Sequence, residues 1–139
     1  MSSPDQVMRV LRVVCGAFAA AVVLYGFVGF TVQPAGTGAP PLLVPILVGA
    51  GVVAVATAEL LKVLMLRSDA AAPQARTFFA ATLVAFALRE AAALFGLIIA
   101  LATGQKTWLL GLCVLALAAM TLGWPRRSQL DDHLAARDA

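Results

Sequence analysis

Four apolar runs, each near the length that crosses a bilayer, leave this chain little choice of fold. They extend over about residues 8–32, 41–66, 77–103 and 107–124. A hydrocarbon core about 30 Å thick takes about 20 apolar residues of helix to cross. In water the same runs would have to be covered by polar surface that is not there. Apolar residues make up 62% of the chain and charged ones 12%, against roughly 45–50% and 25% in soluble domains. An ordinary soluble enzyme, a disordered chain and a nucleic-acid module are excluded together. The formal net charge of +3 changes nothing, because its Lys and Arg sit at the ends of apolar runs and form no stripe along one solvated face. The expected fold is all-α: a four-helix transmembrane bundle, up-down-up-down. Residues 1–139 would form a single integral membrane domain, with a short tail over 125–139.

The connections are residues 33–40, 67–76 and 104–106, and the Pro and Gly in the first and last of them stop helices. Lys and Arg counts set the orientation. Arg9 and Arg12 precede or open the first span, Arg67 and Arg76 flank the second gap, and Arg126, Arg127 and Arg137 lie in the tail. The first gap has no basic residue and the third only Lys106. Both termini and the second gap are therefore expected on the cytoplasmic side of the cell (inner) membrane. Trp108 and Trp124 stand about 24 Å apart along the fourth span, a separation suited to two interfacial anchors. Thr37-Gly38-Ala39 would serve as a cleavage site, but the first apolar run is longer than the 7–15 residues of a signal-peptide core, so it reads as a retained span.

Ionisable residues inside spans are costly, and each is a candidate for function. Four occur, Glu59 and Lys62 in the second span and Arg89 and Glu90 in the third, and their charges sum to zero. Glu59 and Lys62 are three apart and share a helix face, which allows a local pair; Lys62 can also snorkel to the nearby interface. Arg89 and Glu90 are about 100° apart around the helix, so each needs a partner elsewhere. Counted from the cytoplasmic ends, Glu59 and Arg89 differ in depth by about 7.5 Å. The Arg89 side chain leans toward its own N-terminus, and so toward Glu59. An Arg89–Glu59 pair between spans two and three is expected, with Tyr25 of the first span at the level of Glu90 and offering its hydroxyl.

Small residues line candidate packing faces: Thr82, Ala85, Arg89, Ala93, Gly96 and Ala100 in span three, Gly49, Val52, Ala56 and Glu59 in span two, and Ala19, Gly26 and Gly29 in span one. Ser3, with Pro4 and Gln6 behind it, reads as a helix start, and Ser128 with Asp131 as a marginal cap in the tail. Cys15 and Cys113 lie at different depths and are expected to stay unbridged. His133 reads as a solvated tail residue. No metal-ligand spacing, phosphate-cradling loop or intramembrane His base is present, so no catalytic residue, metal or cofactor is expected.

The stretch from Ala85 to Leu101, in which Glu90 is followed six residues later by Gly96 and then by an aliphatic run, resembles the outer helix of rotary ATP synthase proteolipids (subunit c). Over residues 41–103 the two spans correspond to that family's hairpin. The resemblance implies that Glu90 carries a proton or sodium ion. The chain departs from the pattern in keeping only Gly49 and Gly51 of the family's glycine ladder, in its loop sequence, and in placing Arg89 beside the carboxylate. Leu24-Tyr25-Gly26 and Leu94-Phe95-Gly96 also form a faint repeat half a chain apart. Over nearly its whole length the chain resembles small uncharacterised four-span bacterial membrane proteins, through Glu90, Leu94, Phe95, Gly96 and Leu97 and through the span-four ending Trp124-Pro125-Arg126-Arg127; that resemblance implies no activity. The expected function is that of a structural or assembly component built around Glu59, Lys62, Arg89, Glu90 and Tyr25. Its partners would be the lipid bilayer and a homo-oligomer or membrane complex, with no nucleic acid. Proteolipid-like ion handling through Glu90 and small four-span transport are the alternatives.

Overall fold

A computed structural model describes residues 4–34, 39–68 and 74–129. Among them are four helices, α1 (Pro4–Thr31), α2 (Leu43–Ser68), α3 (Gln74–Thr103) and α4 (Lys106–Leu122), and no strand. Ser3, Thr37, Gly38, Asp131, His133 and Arg137, each used in the sequence reading, lie outside the described residues. Three helices are long and apolar enough to cross a membrane, over Asp5–Thr31, Leu43–Leu66 and Arg76–Thr103. The fourth apolar run, expected over 107–124, corresponds to α4, which starts one residue earlier and ends two residues earlier. α4 has 17 residues, about 26 Å at 1.5 Å per residue. Its helix stops because Pro125 has no N–H to donate and disfavours helical backbone at the residue before it. Gly123 closes the last turn by donating to Ala119 O at 3.0 Å.

Contacts between helices fix their directions. α1 and α3 run the same way, with Phe18 beside Phe86 (ring centroids 6.4 Å apart) and Tyr25 beside Glu90. α4 runs against α1, pairing Lys106 with Phe30, Cys113 with Val22 and Arg127 with Asp5. α2 runs against α3, with Gly51 beside Ala92 and Glu59 beside Arg89. α3 touches all three other helices, whereas α1 and α2 barely meet. The reason is legible in its side chains: Thr82, Ala85, Arg89, Ala93, Gly96 and Ala100 are all buried. Small side chains let a neighbour approach, and a Cβ added to Gly96 would stand 3.1 Å from the Leu109 Cα.

α2 behaves differently from its expected stripe. Gly49, Val52, Ala56 and Glu59 lie on its exposed side, and nothing comes within 4 Å of a Cβ built on Gly49. Gly51 and Ala58 face the protein instead. In α1, Gly29 packs closely against Leu109 and Leu97, while Gly26 meets nothing. Gly26 and Gly96 thus have unlike surroundings, and the faint repeat has no counterpart in packing. Cys15 and Cys113 are buried and unbridged.

The α3–α4 turn rests on Gly104, whose φ of +74° suits glycine, and whose N–H caps Ala100 O at 2.9 Å. From the first turn of α4, Lys106 Nζ donates to Phe30 O at 2.7 Å and lies 5.5 Å from that residue's ring. A cation at the C-terminal end of α1 is favoured by the helix dipole. Lys106→Met is expected to remove about 1 kcal/mol, read as a lower midpoint of thermal unfolding in detergent. An unchanged midpoint would show that the clasp contributes nothing.

Candidate functional site

Among the described residues Arg89 is the largest fully buried side chain. It projects from about the middle of α3, and its Nη2 ion-pairs with Glu59 Oε1 on α2. The two partners are unlike: the Arg89 side chain is 0% exposed and that of Glu59 59%. The Phe86 ring, one turn earlier on α3, lies 5.2 Å from the guanidinium carbon, a favourable cation–π distance. On another side stands Gly123, where a Cβ would fall on both terminal nitrogens. The guanidinium therefore faces the C-terminal end of α4, the end at which the helix dipole favours positive charge. No described oxygen stands in hydrogen-bond geometry to Nε, Nη1 or Nη2.

Lys62 does not form the local pair that its spacing from Glu59 allows. Among the described residues it makes no ion pair. The cause is rotation: three residues along a helix is about 60° short of a full turn, enough to turn Lys62 inward while Glu59 stays at the edge of α2 and reaches sideways to Arg89. Glu90 points to a different helix. It accepts a hydrogen bond from Tyr25 Oη at 2.6 Å, both side chains being half-buried. Among the described residues no cation pairs with it. The five residues singled out in the sequence therefore fall into two separate pairs, Arg89–Glu59 and Tyr25–Glu90, with Lys62 apart from both.

Gly123 and Trp124 are the members that sequence reading missed. Trp124, expected as an interfacial anchor, packs edge-on to Phe86 with ring centroids 6.2 Å apart. Pro125 is fully buried behind it. The chain turns inward at the end of α4, covers Arg89, and reaches the start of α1, where Arg127 pairs with Asp5 at 2.9 Å. The signal available in the sequence was the Gly-Trp-Pro succession: a helix stop beside a span, with an aromatic between two residues that end helices. Trp108, at the opposite end of α4, is exposed.

The arrangement can neutralise a buried cation, close the end of a short helix and hold a carboxyl group against a phenol. Among the described residues no three His, Cys, Asp or Glu side chains come together as metal ligands. Comparison with protein-family models, with curated proteins and with solved structures returns no match.

Proposed function

We propose that the chain is a multi-pass protein of the cell (inner) membrane, a four-helix transmembrane bundle running up-down-up-down with both termini cytoplasmic, and that it serves as a structural or assembly component through helix packing and oligomer formation. The observation that carries this reading is the placement of Arg89: wholly buried, paired with Glu59, and set against the end of α4. A cation so enclosed is committed to joining helices and offers nothing to a substrate. The Lys and Arg bias supports the orientation. The tail supports it as well, since Arg126 and Arg127 follow α4 at the same end as Asp5. The outward stripe of α2, with Gly49 and Ala56 exposed, suits close approach by another helix.

A second reading, proton or sodium handling through Glu90, draws on the lack of a cationic partner for that carboxyl among the described residues. Reconstituted liposomes separate the two. The assembly reading expects proton and sodium flux no greater than in protein-free liposomes, with Glu90→Gln altering only the unfolding midpoint. Flux that collapses in Glu90→Gln, together with carbodiimide labelling of Glu90 in native membranes, would replace it with the ion-handling reading.

A further inference from the structure

We infer that the Tyr25–Glu90 pair is a docking site for a basic side chain carried at mid-membrane depth by a transmembrane helix of another protein. The inference rests on the assembly reading and names the chemistry of the partner. Glu90 lies at the middle of the Arg76–Thr103 span, where an ionised carboxylate without a counter-charge is at its most costly. Arg89, its neighbour in sequence, is turned toward α2 and already engaged by Glu59. Tyr25 donates to Oε1 only, and Oε2 has no donor among the described residues.

The pair is reachable from outside the protein. Both residues are half-buried at the seam between α1 and α3, and exposed Leu24 and Leu94 flank them. Ala21 and Ala87 stand one turn nearer the N-terminal ends of the two helices, Ala87 exposed and Ala21 half-buried. Such small side chains leave room for a long one entering between them.

Charge selects the occupant. Lipid amines stay in the headgroup layer, about 15 Å from the bilayer centre. Among the described residues, a second copy of this chain brings no exposed cation to this depth: Arg89 is enclosed, Lys62 lies further toward the Arg76 end, and Lys106 is at the opposite end beside Phe30. What remains is a foreign helix with a single Lys or Arg near its centre, able to donate to Oε2 and neutralise the carboxylate.

The test uses the full-length protein in phosphatidylcholine vesicles, with fluorescent Leu-Ala transmembrane peptides as probes. One peptide carries Lys at its central residue, a second carries Gln there, and a third carries the Lys moved by two turns. Energy transfer to the protein reports association. The central-Lys peptide is expected to bind about tenfold more tightly than the other two, and Glu90→Gln is expected to abolish the difference. Tyr25→Phe keeps the carboxylate and is expected to keep the preference. Equal binding of the three peptides to the unmodified protein overturns the inference, whatever the variants do. So does a Lys preference that survives Glu90→Gln. Failure here leaves liposome flux at background and self-association of the protein intact, whereas failure of the assembly reading shows as Glu90-dependent flux.

Discussion

Glu59→Leu is expected to destabilise the protein by about 3–5 kcal/mol, and Arg89→Leu by clearly less, although each removes one half of the same ion pair. The asymmetry follows from exposure and from proton chemistry. With Glu59 gone, a guanidinium with 0% exposure is left among Phe86, Gly123 and the apolar interior, and it stays charged because arginine does not give up its proton in proteins. With Arg89 gone, the Glu59 side chain, 59% exposed, is not enclosed by protein and, unlike the guanidinium, can take up a proton, which limits the loss. The double variant Glu59→Leu/Arg89→Leu is expected to recover most of what Glu59→Leu costs, since two well-packed apolar groups often replace a buried pair at little expense. Thermal unfolding in detergent, followed by the emission of Trp108 and Trp124, measures all three. A double variant whose loss is the sum of the two single losses would mean that Arg89 and Glu59 do not depend on each other, and equal losses for the two single variants would remove the asymmetry.

Depth along a helix is what the sequence made readable. A fixed rise per residue and the lean of side chains toward the N-terminus are local properties, and they were enough to place Arg89 within reach of Glu59 and Tyr25 level with Glu90. Rotation about the helix axis was harder to read. α2 is apolar over most of its surface, so its pattern does not say which face turns inward; the small-residue stripe through Gly49 and Ala56 is a candidate packing face, and within this chain Gly51 and Ala58 are the buried ones. α3 offered a better signal because its stripe contains the one ionisable residue that needs full enclosure. The end of α4 was least accessible. Gly123 and Arg89 meet across two helices, and no spacing rule connects residues that far apart in sequence. The helix ends at Leu122, and Trp124, two residues further on, packs against Phe86, a contact that the apolar run alone does not reveal.

Gly123→Val is expected to lower stability by about 2–3 kcal/mol, and Gly123→Ala by about half as much. Conformational freedom is not the reason, because Gly123 has φ −88°, which any residue can adopt. Space is the reason. A Cβ at this position would clash with Nη1 and Nη2 of Arg89 and stand 2.7 Å from Cζ. An arginine at a surface would swing aside at little cost. This one is enclosed, with the Phe86 ring 5.2 Å away and Glu59 holding Nη2, so moving the guanidinium means lengthening the ion pair or displacing the end of α4. The prediction therefore carries a specific suppressor. In an Arg89→Leu background the obstructing nitrogens are gone, and adding Gly123→Ala is expected to cost nothing further. If Gly123→Ala lowers the unfolding midpoint equally in both backgrounds, the glycine serves the backbone of the Gly-Trp-Pro turn and not the cation beneath it.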